Sequence, residues 1–114
     1  MVRAKSGGRM PEPVATAFLL ALGDLRAYIA AGAAVVLGDV EFRQQFAGVL
    51  ERVAEGADWL PARCVNADLA GRVAEQARAL AAAVDAPMRR CDRPRVWTEV
   101  ASLARLAGQI RWAG

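Results

Sequence analysis

The sequence contains no histidine, and this absence removes most of the familiar catalytic arrangements. Without an imidazole, neither a Ser-His nor a Cys-His nucleophile pair can form. Zinc sites lose their most common nitrogen ligand, and two cysteines are too few to replace it. Gly7–Gly8 is not followed by the lysine of a phosphate-binding loop. We therefore expect a protein that is not an enzyme and that uses no metal and no cofactor.

The two cysteines are also too few for a disulfide framework. Cys64 precedes and Cys91 follows a predicted helix over residues 67–86, which would span about 30 Å at 1.5 Å per residue. A disulfide requires Cα atoms closer than about 7 Å. The two thiols are therefore predicted to stay unpaired within one chain, which is typical of a cytoplasmic protein.

Long uncharged apolar runs are missing as well, so neither a membrane span nor a membrane partner is predicted. The longest apolar stretch, residues 14–38, is interrupted by Asp24 and Arg26 near its centre. The start of that stretch follows basic residues, as the core of a signal peptide does, but prolines and an acid separate the two and the run fits an amphipathic helix. We expect a cytoplasmic protein.

Aromatic residues make up only 6% of the chain although apolar residues make up 55%, and alanine supplies much of the difference. Alanine loses no side-chain entropy in a helix, and no stretch alternates as a strand does. The sequence predicts an all-α fold, an antiparallel four-helix bundle with a short flexible basic N-terminal tail. Residues 1–13 are assigned to the tail, and residues 14–114 to a single helical-bundle domain.

Each predicted helix has an apolar stripe at helical spacing and residues that mark its ends. Helix one starts near Val14 and ends at Gly32 or Gly38, and helix two follows an N-cap at Asp39. Helix three starts at Asn66 or Asp68 and is closed by Pro87. Helix four begins between Pro94 and Trp97. The stripes comprise Val14, Phe18, Leu22, Leu25 and Ile29; Phe42, Phe46, Val49, Val53 and Ala57; Leu69, Val73, Leu80 and Val84; and Val96, Val100, Leu103, Ala107 and Ile110.

The net charge of +3 is unevenly distributed, because an acidic middle lies between two basic ends. Four arginines, Arg89, Arg90, Arg93 and Arg95, stand within seven residues of the segment 88–95. Guanidinium groups bind phosphates through paired hydrogen bonds, so this loop is a candidate contact for a nucleic-acid backbone. Alternatively, the carbonyl groups that end helix three, together with Asp39 and Glu41 at the same end of the bundle, neutralise the loop.

The basic tail, with Arg3, Lys5 and Arg9, is a second candidate contact for nucleic acid. It contains no aromatic residue for base stacking, so any binding should not depend on base sequence. The sequence therefore favours a small non-catalytic accessory bundle that binds nucleic acid through phosphate contacts from the Arg-rich loop and the tail.

The alternative function is a protein–protein adaptor or a homo-oligomeric assembly module, with another protein or a second copy as the partner. Helix three has a stripe of alanines that would let another helix approach closely, and tryptophan is common at interfaces. The candidate interface residues are Ala70, Ala74, Ala77, Ala81, Trp97 and Trp112. In a competing interpretation, the alanines pack within the chain, against helix one near Gly32.

Overall fold

The computed structural model describes residues 12–60 and 66–110, and all regular structure in them is helical. The helices are α1 (Glu12–Ala31), α2 (Ala33–Val36), α3 (Val40–Asp58), α4 (Ala67–Asp85) and α5 (Arg93–Gly108), with a 3₁₀ turn at Arg90–Asp92. The prediction of an all-α bundle is confirmed. None of these helices is long and apolar enough to pass through a bilayer.

The four long helices form a closed ring in which each contacts two neighbours. α3 packs against α1 and α4, while α5 packs against α4 and α1. The backbones of the diagonal pairs, α1 with α4 and α3 with α5, do not approach each other closely within the described ranges, although Phe46 of α3 and Trp97 of α5 meet across the core. α1 and α3 run in opposite directions, since Tyr28 donates a hydrogen bond to Gln45 while Asp24, one turn earlier, pairs with Arg52 further along α3.

The two glycines proposed as alternative ends of helix one both act as stops. α1 ends at Ala31, and Gly32 has φ +95°, a backbone conformation that favours glycine. The one-turn helix α2 follows, and a Cβ at Gly38 would collide with the carbonyl oxygen of Ala34. The chain therefore turns twice between α1 and α3, which adds the short helix that the sequence analysis did not separate.

The helix starts follow from the residues that precede them. Asp39 is the N-cap of α3, as predicted, and its Oδ1 accepts hydrogen bonds from the amides of Glu41 at 2.7 Å and Phe42 at 3.3 Å. α4 begins directly after Asn66. α5 begins one residue earlier than predicted and carries Pro94 in its first turn, where a missing N–H removes no helical hydrogen bond.

The predicted stripes supply the core, with one exception among the residues whose side chains are described. Phe46 is fully buried between α1 and α5, with its ring 5.3 Å from that of Tyr28 and 5.7 Å from that of Trp97. Phe42, predicted to be in the same stripe, is 42% exposed. It lies in the first turn of α3, where the stripe is left partly open to solvent. Val14 lies where side chains are not described.

Candidate functional site

The arginine loop lies at the end of the bundle where α5 begins, and much of its charge is balanced locally. Arg89 pairs with Asp92 at 3.2 Å. Arg95 lies 4.0 Å from Asp92 and 3.8 Å from Glu99. Such exposed pairs contribute only about 0–1 kcal/mol each, so they leave both arginines free to exchange partners.

The other two arginines of the loop differ from each other in exposure. Arg90 is exposed and forms no ion pair with any described residue. Arg93 is half-buried, and its Nε is buried without a hydrogen-bond partner among the described residues. Its Nη1 would lie 3.9 Å from a Cβ at Gly38, so Arg93 packs against the α2–α3 corner. The loop therefore presents three arginines to solvent rather than four.

Asp39 and Glu41, the residues expected to neutralise the loop, form no ion pair with it in the described ranges. Asp39 is instead engaged as the cap of α3. Segments 39–43 and 85–99 nevertheless lie at the same end, where Arg43 donates a hydrogen bond to the carbonyl oxygen of Val84. Together they carry five arginines and five acidic residues, so this end of the bundle has no net charge.

The positive charge of the chain is concentrated outside the described residues. Within 12–60 and 66–110, ten arginines stand against twelve acidic residues, a net charge of −2. The remaining segments contain five basic residues and no acid. Arg3, Lys5 and Arg9, the predicted contacts of the tail, lie outside the described residues.

The predicted interface alanines of α4 are already covered by the chain's own helices. Ala70, Ala74, Ala77 and Ala81 are at most 5% exposed, and α4 packs most extensively against α3. These alanines therefore present no surface to a second chain. They pack within the chain, as the competing interpretation of the sequence proposes. The expected neighbour was different, because the backbone of α4 lies close to those of α3 and α5 and not to that of α1.

Of the two tryptophans proposed as interface residues, only Trp97 lies among the described residues. Trp97 is half-buried and packs its ring against Phe46, so it closes the core more than it faces solvent. Trp112 lies outside the described residues. Trp59, at the end of α3, is 68% exposed.

The outer face of α1, opposite the core, is a feature that the sequence analysis missed. Successive residues advance by about 100° around a helix, so each exposed residue of α1 can be placed by its angle from the line that runs along the helix opposite the buried Leu25. From position 19 to the end of the helix, every exposed residue within about 60° of that line is apolar or glycine, although a surface helix normally carries its polar residues there. These residues define the outer face of α1: Leu19, Leu20, Gly23, Ala27, Ala30 and Ala31.

The N-terminal end of the outer face is marked by Thr16. This residue is exposed and lies on the same line, about one turn before Leu19 and Leu20. Its side chain is uncharged and small, with one methyl group and one hydroxyl group. The apolar strip therefore begins after Thr16 and continues to Ala31.

Two charged residues border the outer face, one on each edge. Asp24 lies on the edge next to α3 and pairs with Arg52 at 3.2 Å, yet 52% of its side chain stays exposed. Arg26 lies on the edge next to α5, where its Nη2 would be 2.8 Å from a Cβ at Gly108. Each is about 80° from the middle of the face at 3.6 residues per turn. The face is thus an apolar strip one helix wide, with opposite charges along its two sides.

The surface between α3 and α4 is charged. Glu51, Glu55 and Asp85 alternate there with Arg52 and Arg78. A hydrogen bond to Asp58 raises the pKa of Arg78 above its ordinary value. No group of three metal-ligating side chains occurs in the described part of the chain. Arg52 and Arg78 form their ion pairs with Asp24 and Asp58, so this surface is a set of exposed charges.

Comparisons of the chain with protein-family models, with curated proteins and with solved structures find no match. The fold and the surface define a small all-α bundle with two unlike exposed features, an arginine loop at a neutral end and an apolar strip along α1.

Proposed function

We propose that this chain is a protein–protein assembly module that binds its partner through the outer face of α1. The observation that carries the proposal is that no charged or polar side chain lies on that face from Leu19 to Ala31, over about three and a half helical turns. Leu20 is 63% exposed and Leu19 is 50% exposed there. Water contact with such a strip is unfavourable by about 25 cal/mol per Å² of apolar surface, so a partner that covers it gains affinity.

The shape and chemistry of the strip favour a helix as the binding element. Gly23 and Ala27 in its middle have little or no side chain, so a second helix can approach closely, and Leu20 provides a larger apolar contact. A helix laid along the strip would use anchors at the same three- and four-residue spacing.

Photo-crosslinking inside cells tests this proposal. A benzophenone amino acid is placed at Leu20, with the same substitution at the exposed Gly71 of α4 as a control. We expect a protein adduct from position 20 and none from position 71. The position-20 adduct should disappear when Ala27→Glu is added, since a charge then lies in the strip. If no protein adduct forms at position 20, or if adducts form equally at both positions, the proposal is wrong.

A second candidate function is nucleic-acid binding by the arginine loop, favoured by the exposure of Arg89 (82%) and Arg95 (69%). Because Arg93 is packed against the corner, we now expect three phosphate contacts at most. These imply a log–log salt slope of about −2.7 on duplex DNA, at about −0.9 per contact.

The salt dependence of binding tests this candidate with a matched pair of variants. Arg89→Ala with Arg90→Ala should flatten the slope by about two units, whereas Arg72→Ala with Arg105→Ala, at exposed positions on α4 and α5, should leave it unchanged. Absence of binding at about 50 mM salt would exclude this function, because the electrostatic contribution is large there. The net charge of −2 on the described residues makes this the weaker of the two candidates.

A further inference from the structure

We propose that the partner of the outer face of α1 is the same face of a second copy, with the two α1 helices parallel about a twofold axis. This inference rests on the proposed function and adds the identity and orientation of the partner. A twofold pair is the most common arrangement of soluble homo-oligomers, and it requires one surface to be complementary to itself.

The charges on the two edges of the face provide that complementarity. In a parallel pair about a twofold axis, the edge next to α3 of one copy meets the edge next to α5 of the other. Asp24 of each copy then faces Arg26 of its partner, with an offset of two residues, or about 3 Å along the axis. In an antiparallel pair, like edges meet, which brings Asp24 towards Asp24 and Arg26 towards Arg26. Opposite charges across an interface select the parallel alignment.

Both charged groups are accessible for this contact. Asp24 forms one ion pair, with Arg52, and its side chain remains 52% exposed, so its carboxylate has room for a second cation. Arg26 is exposed and forms no ion pair within the described ranges. The Asp24 edge of one copy therefore meets an unpaired cation on the other.

The size of the face sets the expected affinity. Residues 19–31 span about 20 Å of helix, and the strip is one helix wide, about 10 Å. The area that such a contact buries is smaller than the roughly 1,200–2,000 Å² that a standard stable interface buries. We therefore expect a dimer that dissociates at micromolar concentrations, so that its association has to be measured up to several hundred micromolar.

Sedimentation velocity of the full chain from about 5 to 500 µM measures the association. The wild-type chain should shift from monomer to dimer over this range. Ala27→Glu should raise the dissociation constant at least about tenfold, because two carboxylates then meet near the axis, and about 1.4 kcal/mol of repulsion corresponds to a factor of ten. Ala83→Glu, at an exposed position of α4, is the matched control and should leave it unchanged. Circular dichroism confirms that both variants remain helical.

Cysteine crosslinking tests the orientation, in a background with Cys64→Ser and Cys91→Ser. In a parallel pair, each position near the middle line of the face meets its own copy, so Thr16→Cys and Ala27→Cys should each give a disulfide-linked dimer. These positions are about 16 Å apart along the helix. In an antiparallel pair, at least one of them therefore lies about 16 Å or more from its own copy, beyond the reach of a disulfide. The two variants cannot then both crosslink.

Charge exchange provides a second readout of the orientation. Arg26→Asp should weaken the dimer, because it places two carboxylates opposite each other in the parallel pair. Asp24→Arg combined with Arg26→Asp should restore it, since the exchanged charges again face opposite partners. A double variant that remains as weak as Arg26→Asp would contradict the contact between these two residues.

The outcomes separate this inference from the proposed function. A chain that stays monomeric at 500 µM, while the crosslinker at Leu20 captures another protein, overturns self-association and leaves the assembly function standing. A dimer in which only one of the two cysteine variants crosslinks overturns the parallel orientation. A monomer that shows no protein adduct at position 20 overturns both. Association that Ala27→Glu leaves unchanged excludes the outer face of α1 as the interface.

Discussion

A close approach between α1 and α3 occurs at Gly56, and substitution there tests the placement of α1. A Cβ at position 56 would lie 3.1 Å from the Cα of Phe18 and 3.2 Å from its Cβ. Neither atom of Phe18 can move by rotating a side chain, since one belongs to the backbone and the other is attached to it. In Gly56→Ala, the helices must therefore separate by a few tenths of an ångström.

Two opposing effects determine the stability of Gly56→Ala. Replacing glycine by alanine in a helix interior stabilises by about 0.5–1 kcal/mol. Overpacking a close contact costs about 1–3 kcal/mol. We expect the contact to dominate, with a net loss of up to about 2 kcal/mol. Gly48→Ala is the matched control, because it lies in the same helix and a Cβ there meets nothing within 4 Å. That variant should gain about 0.5–1 kcal/mol.

Urea unfolding followed by circular dichroism at 222 nm measures both variants. The difference between them removes the shared propensity effect and should be about 1–3 kcal/mol, with Gly56→Ala the less stable. In thermal unfolding, each kcal/mol corresponds to roughly 4–8 °C for a domain of about this size. If Gly56→Ala were as stable as Gly48→Ala, α1 would not pack on α3 at this point. The outer face of α1 would then not be the surface opposite the core.

Three further predictions concern the cap, the core and the free thiol. Asp39→Ala should lower the free energy of unfolding by about 1 kcal/mol in urea titration, and Asp39→Ser should restore most of it, because serine also accepts from the amides of the first turn. Phe46→Ala should cost about 3–5 kcal/mol, whereas Phe42→Ala should change stability by less than about 1 kcal/mol; similar losses would mean that Phe42 is part of the core. The exposed thiol of Cys91 should react with a disulfide reagent in the folded chain, and that fast reaction should be missing from Cys91→Ser.

The fold was largely predictable because the helices that carry it are amphipathic. Apolar residues at steps of three and four identify the buried faces of α3, α4 and α5, and Asp39 and Pro87 mark helix ends by local chemistry. α2 was not predicted because four residues are too few for a periodic pattern. Phe42 was misplaced because the apolar stripe continues through the first turn of α3, whereas the burial of each residue in it depends on tertiary packing.

The arginine loop was visible in the sequence as a cluster, but its environment was not. Asp92 and Glu99 pair with its arginines because they follow at helical spacing from Arg89 and Arg95, a relation that requires knowing where α5 begins. The expected pairing with Asp39 failed because that carboxylate is used as a helix cap. The alanine stripe of α4 indicates a close-packing surface, yet only the ring order of the helices determines whether the chain itself covers it.

The outer face of α1 is not evident from the sequence pattern, because the inner stripe alone accounts for an amphipathic helix. α1 has two, the inner stripe that includes Phe18 and Leu25 and the outer strip that includes Leu20 and Ala27. A helix that is apolar on both faces is normally buried on both, but only the inner face of α1 is buried. The fold gains nothing from leaving leucines in water, and an exposed apolar strip favours association. Because charged residues border it on both sides, the strip has room for a single helix. The opposite charges of Asp24 and Arg26 on its two edges favour a partner helix that carries the same two charges.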